Sequence, residues 1–332
     1  MTRVAVLGAG SWGTTLADLL ARKGHDVRLW AYEAEVVEAV NQRHENPVFL
    51  PGCALAPSLR ALPDAATAVA CTEVVVAVTP SHVLRGVLEQ CRPGLGAGTI
   101  LATATKGIEP ATLALMSEVL ATALPGHPVA ALSGPSFALE VYQGQPTAVV
   151  AAARQPEAAR VTQELFATPR FRVYTHDDVV GVELAAALKN VIAIAAGILE
   201  GLGLGNNPRA ALITRGLAEI TRLGVAMGAD PLTFAGLAGM GDLILTTTGS
   251  LSRNRSLGLA LAEGQTLAAY SATHRSVAEG ATTARGALAL AARHGVELPI
   301  CAQVAAILFD GKPPRQAVAD LMERTLKSEQ WR

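Results

Sequence analysis

The sequence predicts a doubly wound, mostly parallel α/β sheet over residues 1–178, followed by an all-α domain over residues 179–332. Three observations carry this. Short apolar runs alternate with helical segments up to about residue 178, the pattern of a parallel sheet covered on both faces. A glycine-rich turn joins the first strand to the first helix. Beyond Val179 the strand signals fade, and alanine- and leucine-rich segments at helical spacing take over. The 332 residues are enough for two sizeable cores.

The first strand is Val4–Leu7, and Gly8-Ala9-Gly10-Ser11-Trp12-Gly13 follows it directly. Each glycine has a physical role. Gly8 permits the tight turn, Gly10 lets backbone approach a pyrophosphate, and Gly13 lets helix and strand pack closely. The helix that Ser11 opens presents free N–H groups and a positive dipole end to an anion. A glycine-rich βα turn with no ligand is the plain alternative, but the strand before it and the helix after it favour a dinucleotide. Arg22-Lys23-Gly24 closes this helix, with basic residues in its last turn and glycine at its end. A signal peptide is disfavoured, because three glycines interrupt the apolar stretch and no A-x-A-like cleavage site follows.

The next strands are Val27–Trp30, Val74–Thr79, Ile100–Ala102, Val129–Leu132, Ala148–Ala152 and Phe171–Tyr174. Helices between them include Ala34–Gln42, Val83–Cys91 and Thr112–Ala123. In such a sheet, ligands bind at the carboxyl ends of strands. The loops to watch are therefore Thr79-Pro80-Ser81-His82, Thr105-Lys106-Gly107 and Ser133-Gly134-Pro135-Ser136. The domain boundary falls near Thr175-His176-Asp177-Asp178. Predicted helices beyond it include Val180–Glu200, Pro208–Met227, Arg285–His294 and Arg315–Leu326.

Composition excludes several classes. Half of the chain is hydrophobic, 17% is charged and the net charge is −1, so neither disorder nor a nucleic-acid surface nor a polybasic membrane anchor is supported. The apolar stretch Leu184–Leu204 carries Lys189, Asn190 and Glu200 and makes a poor membrane span. The four cysteines lie far apart with no C-x-x-C, which fits reduced thiols in a cytoplasm. The seven histidines form no metal-ligand spacing, so no metal is expected.

Lysine is scarce, at five residues, and one of them sits in an apolar helix. The positions three and four residues from Lys189 hold Ala185, Ala186, Ile192 and Ala193, none of which can pair with it. Such a lysine either snorkels to water or sits at a site with a lowered pKa, where it suits general acid/base work. Asn190 beside it either orients a substrate hydroxyl or caps a packed loop. Lys106 stands at a strand's carboxyl end, as ligand group or as solvated loop residue. Gly134-Pro135-Ser136 offers N–H groups and a hydroxyl to an anion, or is an ordinary turn. Leu237-Ala238-Gly239-Met240-Gly241-Asp242 leads through Thr246 to Ser252-Arg253-Asn254. These hydroxyls, amides and an arginine fork suit a phosphate monoester, and the plain alternative is a polar interdomain loop.

Together these segments resemble the bacterial-type NAD(P)-dependent glycerol-3-phosphate dehydrogenases. The likeness runs from Val4 to about Glu279. It includes Ala104-Thr105-Lys106-Gly107, Leu132–Ala138, Leu188-Lys189-Asn190-Val191, Ala211–Leu217, Leu237–Leu243, Ser252-Arg253-Asn254 and Val277-Ala278-Glu279-Gly280. The resemblance implies a Rossmann domain followed by a helical domain, a homodimer, and reversible reduction of dihydroxyacetone phosphate to sn-glycerol 3-phosphate for glycerophospholipid synthesis. It assigns Lys189 as the catalytic acid/base. It puts Lys106, Gly134, Ser136, Asn190, Asp242, Thr246, Ser252, Arg253 and Asn254 at the substrate. It puts Gly8, Gly10, Ser11, Trp12, Gly13, Tyr32, Lys106, Ala138, Arg253, Val277 and Glu279 at the NAD or NADP cofactor.

One departure concerns the cofactor. The resembled family often has Arg or His just past the second strand, facing a 2′-phosphate. Here Tyr32 and Glu33 stand there, which weakens a strict NADPH preference. Competing readings are a ketopantoate or β-hydroxy-acid reductase of the same architecture, and a non-catalytic NAD sensor. The Arg253-Asn254 segment favours a phosphorylated substrate.

Overall fold

The computed structural model describes residues 1–274, 278–326, 328 and 329. Ten strands are present among them: β1 (Arg3–Leu7), β2 (Asp26–Trp30), β3 (Glu45–Asn46), β4 (Leu50–Ala54), β5 (Arg60–Leu62), β6 (Val74–Ala77), β7 (Ile100–Thr103), β8 (Val129–Ser133), β9 (Thr147–Ala152) and β10 (Phe171–His176). Eight of them form one sheet in the order β10-β9-β8-β7-β6-β1-β2-β5. All its pairs are parallel except β8 with β9.

The order places a switch at the centre of the sheet. From β1 the chain goes to β2 on one side and returns to β6 on the other, so a crevice opens at the carboxyl ends of β1 and β6. Val4, Ala5, Val6 and Leu7 are fully buried, as a central parallel strand covered on both faces requires. The seven strands read from the sequence all form. Missed were the short edge strand β5 and the antiparallel ribbon β3–β4. Each is too short, and too rich in polar residues, proline or glycine, to show an apolar period.

The sheet ends at His176, and the helix Val179–Gly201 starts three residues later. Asp178 caps it, its carboxylate accepting from Gly181 N at 2.8 Å. This helix is the axis of the helical half, and nearly every residue of it is buried. Its mean hydropathy of 1.8 suits a membrane span by length and composition, yet 94% of its apolar window is buried within the protein. Helices Asn206–Ala226, Asp242–Thr248, Arg253–Ala262 and Glu279–Arg293 pack around it. The closest crossing uses paired glycines. A Cβ on Gly258 would sit 2.1 Å from the Ile194 carbonyl oxygen, and one on Gly197 2.0 Å from that of Arg255. The helix Arg253–Ala262 thereby brings its first turn down beside Asn190. The last helices run Glu279–Arg293, Pro299–Phe309 and Pro314–Met322, the first starting six residues before the Arg285 expected from the sequence.

Candidate active site

The glycine turn is built for close approach. Gly8 has φ +112°, and a Cβ there would lie 2.9 Å from the Val78 carbonyl oxygen, just past the neighbouring strand. A Cβ on Gly13 would come within 1.9 Å of the Gly8 carbonyl oxygen. Gly10 differs, because nothing lies within 4 Å of a Cβ built on it. It precedes the helix Ser11–Arg22 without a side-chain cap, so the first-turn N–H groups are left for another acceptor. This shape and polarity fit a dinucleotide pyrophosphate. Ser11 and Trp12 are half-buried in that first turn, and the Trp12 ring packs 6.4 Å from Phe171. The Thr15 hydroxyl donates to the Ala138 carbonyl at 3.3 Å, which puts Ala138 beside the turn. Tyr32, just past β2, is 83% exposed.

Across the crevice, the helix Val179–Gly201 delivers Lys189. Asp242 reaches it from an adjacent element, at the end of a π-helical turn Leu237–Gly241 that leads into helix Asp242–Thr248. Lys189 Nζ donates to Asp242 Oδ1 at 2.5 Å and to the Thr246 hydroxyl at 2.7 Å. Lys106, from the loop after β7, donates to Asp242 Oδ2 at 2.9 Å. One carboxylate thus holds two ammonium groups. The missing counter-charge of Lys189 comes from 53 residues away, which local spacing cannot show.

The electrostatics follow from burial. Lys189 is 5% exposed and Asp242 1% exposed. Burial pushes the Lys189 ammonium down to about 7; Asp242 opposes this and Lys106 adds to it. Burial works against the Asp242 charge too, but the two lysines overcome it and hold the carboxyl below its usual range. The result is a fixed anion beside a cation that can lose its proton near neutrality.

Residues 3–159 match the family described as NAD-dependent glycerol-3-phosphate dehydrogenase N-terminus, and residues 178–319 match its C-terminus. The chain belongs to the NAD-dependent glycerol-3-phosphate dehydrogenase family. It is 58% identical, over 99% of both chains, to glycerol-3-phosphate dehydrogenase (NAD(P)+) of Geobacter sulfurreducens. It is similar to the crystal structure of glycerol-3-phosphate dehydrogenase from Coxiella burnetii, with 42% identity and a TM-score of 0.94, covering 97% of this chain and 99% of that one. A ketopantoate reductase from Ralstonia eutropha, at 18% identity and a TM-score of 0.61 over 97% of this chain and 100% of that one, shares the fold.

In this member of the glycerol-3-phosphate dehydrogenase family, the other expected site residues take varied places. Gly134, at φ +137°, packs against Val149, and the Ser136 hydroxyl donates to the Gly134 carbonyl at 3.0 Å. Pro135 lies against Gly241, so this loop borders Asp242. Asn190 is engaged with protein: its Oδ1 accepts from Asn254 Nδ2 at 3.0 Å, while Asn254 Oδ1 accepts from Gly280 N at 2.9 Å. The Ser252 hydroxyl caps helix Arg253–Ala262 by accepting from Arg255 N at 3.3 Å. The Arg253 side chain reaches solvent, yet burial of its guanidinium pushes it below its usual range, with Glu279 and Tyr270 pulling the other way. Val277 lies outside the described residues.

Two further pairings that position the site were not read from the sequence, although the Ser81 loop and Glu279 were each named there. Ser81, after β6, donates its hydroxyl to Glu279 Oε2 at 2.6 Å and its N–H to Oε1 at 3.2 Å, clasping the sheet to helix Glu279–Arg293. Burial pushes the Glu279 carboxyl up, and these two bonds oppose it. Asn46, fully buried in the ribbon, donates to the Ala9 carbonyl and to the Thr14 hydroxyl, both at 2.8 Å, and so fixes the glycine turn from behind. Neither has a sequence signal, because each acts through a partner distant in the chain.

Proposed function

We propose that the chain reversibly reduces dihydroxyacetone phosphate to sn-glycerol 3-phosphate, with Lys189 as general acid and base. The observation that carries this reading is the buried Lys189–Asp242–Lys106 cluster across the crevice from the glycine turn. When bound, the nicotinamide supplies the hydride that enters the ketone carbon. Negative charge then develops on the carbonyl oxygen, which the Lys189 ammonium stabilises and protonates. In the reverse direction the neutral amine takes the proton from the alcohol. Asp242 and Thr246 hold Nζ in place, and Lys106 adds positive charge beside the substrate. Arg253 serves as the phosphate fork, with Asn254 and Ser252 beside it. Binding the inert phosphate end positions the reacting end. Ser11, Trp12, Ala138 and Glu279 border the cofactor on the same reading, and Gly134 and Ser136 the substrate. The division into a cofactor domain and a substrate domain falls between residues 178 and 179. The family resemblance further supports a cytoplasmic homodimer whose product feeds glycerophospholipid synthesis.

The test is a substrate panel followed at the nicotinamide absorbance band. Dihydroxyacetone phosphate is expected to be turned over, with ketopantoate and β-keto acids inert. Unphosphorylated dihydroxyacetone should lose most of kcat/KM, since the phosphate fork has nothing to hold. Equal rates with and without the phosphate would remove Arg253 and its neighbours from substrate binding.

The pH dependence has a defined sign. Reduction needs Lys189 protonated, so kcat/KM for the ketone should fall as pH rises through about 7. Oxidation needs the neutral amine, so kcat/KM for glycerol 3-phosphate should fall as pH drops through the same value. Parallel limbs in both directions would assign the titration to another group.

A further inference from the structure

The connection between β7 and the helix Met116–Ala123 leaves the sheet and docks on the helical half. Lys106 stands near its start, and Ser117, in the first turn of that helix, stands at its end. Between them, Ile108 and Leu115 form an isolated antiparallel bridge, so the segment folds back on itself as an arm. Both side chains are 1% exposed and lie in the hydrophobic core that also holds Leu184, Leu188 and Ala287. A Cβ on Gly286 would sit 3.2 Å from Ile108 Cγ2, so the helix Glu279–Arg293 lies directly against the arm. Glu109 ties the arm back to the sheet half, accepting from Arg85 Nε and Nη2 at 2.8 Å each.

The end of this arm is clasped by the helix that carries Lys189. Glu183, 6% exposed, accepts at Oε1 from Ser117 N, 2.9 Å away, and at Oε2 from the Ser117 hydroxyl. Ser81 and Glu279 repeat the arrangement, one serine giving both its donors to one carboxylate across the two halves. Glu183 lies six residues before Lys189, about 9 Å along the same helix. The same two segments therefore meet twice: at Ser117–Glu183, and at Asp242, where Lys106 and Lys189 converge. Burial pushes the Glu183 carboxyl up to about 7; the two Ser117 bonds and Arg154 oppose the rise, and Glu118 adds to it. A protonated carboxyl still accepts from the N–H and exchanges a hydrogen bond with the hydroxyl, so the clasp does not depend on the charge.

We propose that Ser117 and Glu183 are positioning residues, whose clasp docks the Lys106 arm on the helix of Lys189 and sets the spacing of the two ammonium groups at Asp242. This rests on the acid/base role proposed for Lys189. Two like charges at one carboxylate push apart, and a second tie between the same two segments holds them in register. The groups that face Lys189 Nζ are Asp242, Thr246 and Lys106. With the clasp broken, Lys106 recedes with its arm, while Asp242 and Thr246 stay in the helical half. The Lys189 ammonium then loses the neighbouring cation that lowers it and titrates at higher pH.

The test compares Glu183→Gln with Glu183→Leu. Both are uncharged and similar in size, but only glutamine keeps an acceptor for Ser117 N and a polar partner for its hydroxyl. Reduction of dihydroxyacetone phosphate is followed against pH, with a thermal melt and an NADH titration on each sample. Glu183→Gln should keep the wild-type limb near pH 7. Glu183→Leu should lower kcat/KM on the acid side of the limb by at least about tenfold and move the limb up by about one pH unit, with NADH binding unchanged. Ser117→Ala, a smaller change that covers the case of a leucine variant that does not fold, should move the limb in the same direction. Leucine and glutamine variants alike in turnover and limb, or an unmoved limb in folded Ser117→Ala, would make the clasp structural only. Either result would overturn the inference and leave the dehydrogenase reading standing. Wild-type protein inert toward dihydroxyacetone phosphate would overturn both.

Discussion

Replacing Lys189 with methionine is expected to lower kcat/KM for dihydroxyacetone phosphate by about 10²–10⁴-fold, the usual range for a positioned acid/base group. The protein should stay folded. Methionine keeps most of the aliphatic volume in a helix that is buried on all sides. Asp242 keeps a counter-ion, because Lys106 still donates to its Oδ2. Reduced-nicotinamide binding should also persist, since the glycine turn lies on the other domain. The measurement is steady-state kinetics with a thermal melt and a nucleotide titration on the same sample. Near-normal turnover would remove Lys189 from proton transfer, and a collapsed melt would make its role structural.

The second large effect is expected from Asp242→Asn. This change leaves two ammonium groups facing a neutral amide in a buried site. Removing one partner of a buried ion pair costs about 3–5 kcal/mol in general. Here part of that cost is avoidable, because Lys189 can shed its proton. Without the carboxylate that supports its charge, its pKa drops further below about 7. The variant should therefore be less stable in denaturant titrations at low pH, where both lysines stay charged. Its ketone-reduction limb should move to more acid pH, so that activity at pH 7 falls by at least about tenfold. An unmoved limb with lowered stability would leave Asp242 as a structural residue only. The electrostatic and structural roles are separable in this way because the substitution retains the size of the side chain and one acceptor oxygen.

Much of the fold was legible because its elements obey simple periods. Val4–Leu7, Val74–Ala77 and Ile100–Ala102 are continuous apolar runs, the pattern of parallel strands covered on both faces. The glycine turn was legible because each glycine answers a different steric demand, and the structure repeats the assignment: strain at Gly8, open space at Gly10, contact at Gly13. The ribbon Glu45–Ala54 was not legible. Its buried Asn46 serves the glycine turn through a carbonyl 37 residues away, and nothing in the local pattern marks it.

The candidate site divides the same way. Lys189 stood out as a charge among alanines with no local partner. What the sequence could not show is that Asp242 is shared between Lys189 and Lys106. That fact depends on the π-helical turn at Leu237–Gly241 and on the loop after β7 meeting across the domains. The departure at Tyr32 was visible as a missing basic residue. Only the structure adds that Tyr32 is 83% exposed and that Glu33 precedes the next helix without capping it.

The most direct measurement is nicotinamide absorbance on adding dihydroxyacetone phosphate to wild type and Lys189→Met side by side, each with NADH and with NADPH. Prompt oxidation by wild type, and its near loss in a folded variant that still binds nucleotide, is the expected result. No oxidation by wild-type protein that binds nucleotide would contradict the assigned substrate. Equal oxidation by both proteins would contradict the lysine's role.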